Sequence, residues 1–389
     1  MLAKVDLKIP FHRSAMGEEE VRAVSDVIRS GWLTMGSRTF QFEQEFAQYV
    51  GAAHAIAVSS CTAALHLSLD AIGIQSGDEV LVPTNTFTAT AEVVTYLGAR
   101  PVFVDIDSST LNLSVEDAKN RITPRTRAII PVHLSGLPCD LDEIHTLAKS
   151  YNLHVVEDAA HSLPSSYRGK RIGANSMLTA FSFYATKTLS TGEGGMITTD
   201  NEAYAQRIRL MRLHGISHDA WKRYSAEGSW RYDVLEPGFK YNFTDMQAAL
   251  GIVQLAKCDA MFQARCQIAK TYDEAFGSLE AVEIPTISSD RETSWHLYIL
   301  RLETNRLRID RGRFVNELME RGVQTSVHFI PLHLQLAYQR LYGYKDGDFP
   351  NAEKEYLRCI SLPIYPSMSE LEVRYVISSV EDVLDKFSR

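Results

Sequence analysis

The chain has 389 residues, 45% apolar and 23% charged, with a formal net charge of -8. That composition is ordinary for a folded soluble protein, and without a basic surplus it speaks against a nucleic-acid surface. The length exceeds one ordinary core, so two domains are expected. The five cysteines, Cys61, Cys139, Cys258, Cys266 and Cys359, are scattered and form no C-x-x-C pair. This argues against a disulfide framework and structural zinc, and for a reducing, cytoplasmic setting. The first twenty residues carry no apolar run of signal-peptide length, and no window reaches the ~18 apolar residues of a membrane span.

In chain order, residues 53–58 (AHAIAV) read as a strand and 62–71 as a helix. Residues 79–83 give a strand, 89–97 a helix and 101–104 a strand. Ser114, with Asp117 three positions on, reads as the cap of a helix running to residue 122. A strand at 127–133, a helix at 141–151 and strands at 154–157, 180–184 and 196–199 follow. Strands alternating with helices predict an α/β fold, a mostly parallel central sheet flanked by helices, with ligands at the carboxyl ends of its strands. Thr244 and Gln247 form a capping box that opens a helix reaching about residue 265. Beyond it, a strand-like 295–302, a helical 313–321 and VQTSVHF suggest a smaller α+β unit. The expected division is a large domain over 1–255 and a small C-terminal domain over 256–389.

The chemistry gathers in a few segments. In VVEDAAHS an apolar strand ends at Glu157 and Asp158, with His161 three residues later. In FSFYATKTLSTGEGG a single cation, Lys187, stands between an aromatic strand and a glycine-rich loop. A lysine amine forms a Schiff base with a carbonyl, and a pyridoxal phosphate enzyme also needs an acid for the pyridine nitrogen. Lys187 and Asp158 suit those two tasks. AVSSCTAAL passes from strand to helix through small residues, offering the N–H groups of Cys61 and Thr62 and the Thr62 hydroxyl to a phosphate. Ser182 adds a hydroxyl, and Phe87 a flat apolar face for a ring. Taken singly, Asp158 reads as a turn cap, His161 as a loop histidine, Lys187 as a solvated surface group and Phe87 as core packing. His328 and His333 lack the helical i, i+4 spacing of a zinc pair and have Pro331 between them, so no metal site is expected. No early G-x-G-x-x-G follows a strand, which removes a nicotinamide-dependent reading.

With these segments in order, the chain resembles the DegT/DnrJ/StrS-type sugar aminotransferases, a branch of the fold-type-I pyridoxal phosphate enzymes. The resemblance runs from SGWLTMGSRTFQFEQEFAQYVG through AVSSCTAALHLSL, VPTNTFTATAEVV, VHLSGLPCDLDEI, VEDAAHS, FSFYATKTLSTGEGGM and GFKYNFTDMQAALGIVQL to HFIPLHLQLAYQ. It implies pyridoxal 5'-phosphate as cofactor, Lys187 as the Schiff-base lysine, Asp158 as the pyridine-nitrogen partner and His161 beside the ring hydroxyl. It implies Phe87 stacked on the ring, and Cys61, Thr62 and Ser182 around the phosphate. Cys61 stands where many relatives carry Gly or Ala, a change that leaves the main-chain donor intact. Asn242 would reach the phosphate of a neighbouring subunit, which implies a homodimer with shared active sites. Thr34, Tyr184, Lys240 and His328 are the candidates for the sugar, with Arg231 and His333 at the edge of the site. The implied reaction is amino transfer from L-glutamate to a nucleotide-linked keto sugar, a 4-keto sugar favoured. Retention of Lys187 separates it from relatives that carry histidine there and act as dehydratases. A 3-keto sugar, a keto-cyclitol without nucleotide, and a non-catalytic cofactor-binding regulator are the alternatives. Glu193 receives no role.

Overall fold

The computed structural model describes residues 7–174, 176–217 and 232–389. Two helices, α1 (Glu18–Ser30) and α2 (Ser37–Val50), lead into β1 (His54–Val58) and α3 (Cys61–Ala71). Next come β2 (Glu79–Pro83), α4 (Ala89–Tyr96), β3 (Arg100–Val104), α5 (Val115–Asn120), β4 (Thr126–Ile129) and α6 (Leu141–Tyr151). Short strands β5 (His154–Val155), β6 (Glu157–Asp158), β7 (Ser166–Tyr167) and β8 (Lys170–Arg171) precede β9 (Thr179–Ser182), β10 (Gly195–Thr199) and α7 (Glu202–Met211). The predicted caps hold: Ser114 accepts from the Asp117 N–H, and Thr244 and Gln247 close a reciprocal capping box.

Strands β3-β2-β4-β5 pair in parallel, and β6-β9-β10-β1 form a second four-stranded run. Val156 alone separates β5 from β6, and Val132 bridges Asp158 in parallel, so the two runs meet at Asp158. The exception to the parallel expectation is β10, antiparallel to both β1 and β9. Its cause is the connection: residues 183–194 return the chain directly, without the helical crossover that parallel neighbours need.

A cluster of phenylalanines holds β9 in place. Phe181 and Phe183 are fully buried against Phe42 and Phe46 of α2, with ring centroids 5.1 Å apart for Phe46–Phe181 and 5.4 Å for Phe42–Phe183. Because side chains alternate along a strand, Phe181 and Phe183 facing α2 leave Ser182 on the other side.

The helix expected over 244–265 is two helices, α8 (Asp245–Ala256) and α9 (Cys258–Phe276). Helix α8 packs on α1 and α2, whereas α9 packs on the helix Glu370–Phe387, so the chain turns at Lys257 to serve two cores. Lys257 there binds Glu19 and Glu20 of α1. The remaining elements are β11 (Val282–Glu283), β12 (Arg291–Glu292), β13 (Tyr298–Leu302), α10 (Arg311–Glu320), α11 (Leu336–Tyr342), α12 (Pro350–Tyr356), β14 (Cys359–Leu362) and α13 (Glu370–Phe387). Strands β11-β13-β14 form an antiparallel sheet under α9, α10 and α13. Ile9 joins this C-terminal core through a parallel bridge to Val323.

Phe46→Ala is expected to cost about 3–5 kcal/mol, the usual range for emptying a fully buried aromatic site. Urea unfolding of the two proteins checks this, and a loss below about 1 kcal/mol would show that α2 does not anchor β9.

Candidate active site

The junction of the two sheet runs opens into a cavity of about 470 Å³. That size suits a cofactor or a small substrate. Nine of the residues singled out from the sequence line it: Cys61, Thr62, Phe87, Asp158, His161, Ser182, Tyr184, Lys187 and His328. Thr34, Lys240 and Asn242 do not line this cavity of their own chain. The Thr34 carbonyl accepts from Asp245 N–H, Lys240 bridges Leu213, and Asn242 bridges Val58. His333 is buried elsewhere, between Thr84 and Glu353. Arg231 lies outside the described residues.

Asp158 ends β6 and is buried. Its carboxylate accepts from Thr90 Oγ1 at 2.8 Å and from the Ala160 N–H at 3.1 Å. Thr90 is steadied by Thr86, one helical turn earlier, at 2.8 Å. Burial pushes the Asp158 pKa up, against the pull of these hydrogen bonds and of Lys187 and His133. The carboxylate is therefore short of stabilisation, and a cationic N–H in the cavity would supply it.

Lys187 follows β9 on the return toward β10. Burial lowers its pKa to about 8, although Cys61 and Asp158 favour its charge. The amine is thus close to half neutral in mildly alkaline water, the state needed for attack on a carbonyl. The His161 pKa is lowered by burial first, then by the neighbouring Lys187 and His328. Its Nδ1 accepts from the Ser135 N–H at 3.2 Å, so the ring proton sits on Nε2. His328 is lowered to about 4 by burial and Lys187, and its Nδ1 meets Ser361 Oγ at 2.8 Å.

At the other end of the cavity stands the N-terminus of α3. Ser60 caps it by accepting from the Ala63 N–H, and the N–H groups of Cys61 and Thr62 have no acceptor inside the helix. Gly195 of β10 passes so close that a Cβ there would lie 2.5 Å from the Ser60 carbonyl. Only glycine lets the strand run beneath this cradle. The first-turn N–H groups, the Thr62 hydroxyl and Ser182 form a donor set for a phosphate. The under-stabilised Asp158 suits a protonated pyridine nitrogen, and Lys187 an aldehyde. Phe87 is 61% exposed at the mouth, with its ring face unburied by its own core. The residues present therefore fit pyridoxal phosphate.

Several wall residues were not singled out from the sequence. Thr90 was findable, because it sits a helical turn from Thr86 behind the Phe87 strand end. Phe11, His12, His296 and Phe329 come from segments far apart in the chain, and no local pattern marks them. Glu193 also lines the cavity, and its carbonyl accepts from Thr191 and Gln247. Among the described residues no cluster of three or more His, Cys, Asp or Glu is placed to hold a metal.

This fold and this site define a pyridoxal phosphate-dependent aminotransferase. Residues 14–381 match the DegT/DnrJ/EryC1/StrS aminotransferase family, and the chain belongs to it. It is 52% identical over 378 residues to an uncharacterized protein of Methanocaldococcus jannaschii, MJ1066, covering 97% of this chain and 98% of that one. It is 46% identical over 385 residues to the spore coat polysaccharide biosynthesis protein SpsC of Bacillus subtilis, covering 99% of each. The pyridoxal phosphate form of Spr1654 from Streptococcus pneumoniae, assigned as a sugar aminotransferase, superposes with a TM-score of 0.91 at 34% identity, over 98% of this chain and 99% of that one.

Because the neutral amine is the reacting form, Lys187 is expected to react with an added aldehyde faster as pH rises, levelling above about 8. The rate, read by borohydride trapping and peptide mapping on cofactor-free protein, would keep climbing past about pH 10 if burial did not lower the amine's pKa.

Proposed function

We propose that the protein transfers an amino group from L-glutamate to a nucleotide-linked keto sugar, a 4-keto sugar favoured, with Lys187, Asp158 and His161 as the catalytic set. The observation that carries this reading is the meeting of Lys187, Asp158 and the α3 N-terminus in one cavity. Kinship with SpsC supports a sugar acceptor in polysaccharide synthesis. When bound, pyridoxal phosphate supplies an aldehyde that carries the amino group and a ring that accepts electrons.

The chain's own groups then have these tasks. Asp158 holds positive charge at the ring nitrogen, with Thr90 and the Ala160 N–H fixing its two oxygens. His161 donates its Nε2 proton toward the ring hydroxyl oxygen. Phe87 orients the ring from one face. Cys61, Thr62 and Ser182 bind the phosphate through main-chain and hydroxyl donors. Lys187 Nζ would serve as the proton carrier, taking the proton from the donor's α-carbon and delivering it two bonds away, to the carbon that came from the aldehyde. His328 and Tyr184 face the acceptor sugar; Tyr184 is 47% exposed at the mouth. Burial of the amine and carboxylate together supports turnover over a purely regulatory role.

The resemblance that sets Asn242 at a neighbouring subunit's phosphate, together with its place outside its own chain's cavity, supports a homodimer with shared active sites. Five free cysteines support a cytoplasmic setting. No helix among the described residues is long and apolar enough to cross a membrane.

Lys187→Ala is expected to lower amino transfer by at least about 10²-fold while the protein stays folded, as loss of a positioned proton carrier does. Retention of full activity in coupled glutamate-dependent assays would refute the assignment. UDP, dTDP and GDP separate the acceptor classes: one of them is expected to bind, by calorimetry, and to inhibit competitively. Binding by none of the three points to a keto-cyclitol acceptor.

A further inference from the structure

Residues 293–297, between β12 and β13, cross to the back of His161. Ser294 is wholly buried there, and its Oγ donates to the His161 carbonyl at 2.5 Å. Its own N–H donates to Ser165 Oγ at 3.0 Å. The Leu297 N–H donates to the Ser135 carbonyl at 3.3 Å, and Ser135 in turn donates its N–H to His161 Nδ1. One short segment thus grips both the peptide that carries His161 and the residue that sets the position of its proton. Ser135 has a φ of 58°, unusual for a residue with a side chain, so its N–H direction depends on being held. Gly136 allows the fit: a Cβ there would lie 2.0 Å from Ser294 Oγ.

His296 covers the ring itself. Its centroid is 4.4 Å from that of His161, with 41° between the planes. Its buried Nδ1 has no hydrogen-bond partner among the described residues, so what it gives His161 through that edge is packing. Burial is the first cause lowering the pKa of both rings, with the Lys187 charge acting the same way on each.

We propose that Ser294 and His296 form a positioning arm that fixes the ring orientation and the proton location of His161 toward the cofactor's ring hydroxyl. This rests on the reading of His161 given above and goes beyond it. Ser294 lies behind the cavity wall, and His296 stands in the wall against the His161 ring. The arm works by denying His161 a second orientation: rotation about its Cβ–Cγ bond would carry Nδ1 away, set Cδ2–H against the Ser135 N–H and lose that hydrogen bond.

Two measurements test it. The first is nitrogen-15 NMR of the His161 ring in cofactor-free protein, assigned by its loss in His161→Gln. The native chain should show an unprotonated Nδ1 and a protonated Nε2, and in Ser294→Ala and His296→Ala the two signals should converge as the tautomers mix. Unchanged signals in Ser294→Ala overturn the arm whatever the cofactor does. The second is the pH midpoint of the bound cofactor's visible absorption band. It should shift by about half a pH unit or more in His161→Gln and in both arm variants, the scale of a hydrogen bond to a titrating group. A shift in His161→Gln alone overturns the arm and leaves His161 in place. No shift in His161→Gln overturns the ring-hydroxyl reading, and the arm with it.

Discussion

Keeping an amine and a carboxylate out of water in one cavity is the constraint on which the rest of the molecule depends. Desolvation disfavours both charges, lifting Asp158 and lowering Lys187. Each group is thereby moved toward the state that reacts or binds. Such a state survives only if the surrounding frame is rigid, because a shift that admitted water would return both groups to ordinary values. The phenylalanine cluster under β9, the Thr86–Thr90 pair under Asp158 and the glycine seam between β10 and α3 each supply part of that frame. The phenylalanines and Gly195 lie behind the cavity wall and Thr86 and Thr90 within it, and each sets where a reacting atom lies.

The sheet explains why these parts meet. Asp158 sits where the parallel run hands over to the run containing the antiparallel β10. The return from β9 to β10 is short and passes Lys187 over the same edge. Helix α3 enters after β1, the strand beside β10, so its N-terminus faces the same space. An acid, an amine and an anion cradle therefore come from three connections at one end of a single sheet surface, a common placing for ligands in α/β folds.

Much of this was legible in the sequence. Strand β2 and helix α6 have the bounds that their apolar patterns predicted, and the caps at Ser114 and Thr244 are where the side chains placed them. Nine cavity-lining residues were legible because they lie at or just beyond strand ends and at a strand–helix turn, positions that local pattern reveals. The break at Lys257 was not, because α8 and α9 are both helical and differ only in which core they face. The antiparallel course of β10 was hidden because strand direction depends on the connection and not on composition. The far wall was hidden for a related reason. Phe11, His296 and Phe329 are neighbours only after chain closure, and the tautomer of His161 is set by Ser135, whose partner Leu297 lies 162 positions further on. Asn242, Thr34 and Lys240 take no part in their own chain's cavity, because their backbones pair with Val58, Asp245 and Leu213 instead.

The bridge between Ile9 and Val323 has a consequence for how the molecule is made. The N-terminal segment ends in a core whose other members include Ile360, Val376 and Leu384. At ribosomal speeds, those residues emerge on the order of tens of seconds after Ile9. Throughout that time the segment has no place to dock, and the cavity that will receive Phe11 and His12 stands open on one side. Ile9 and its neighbours are thus made early and settle late.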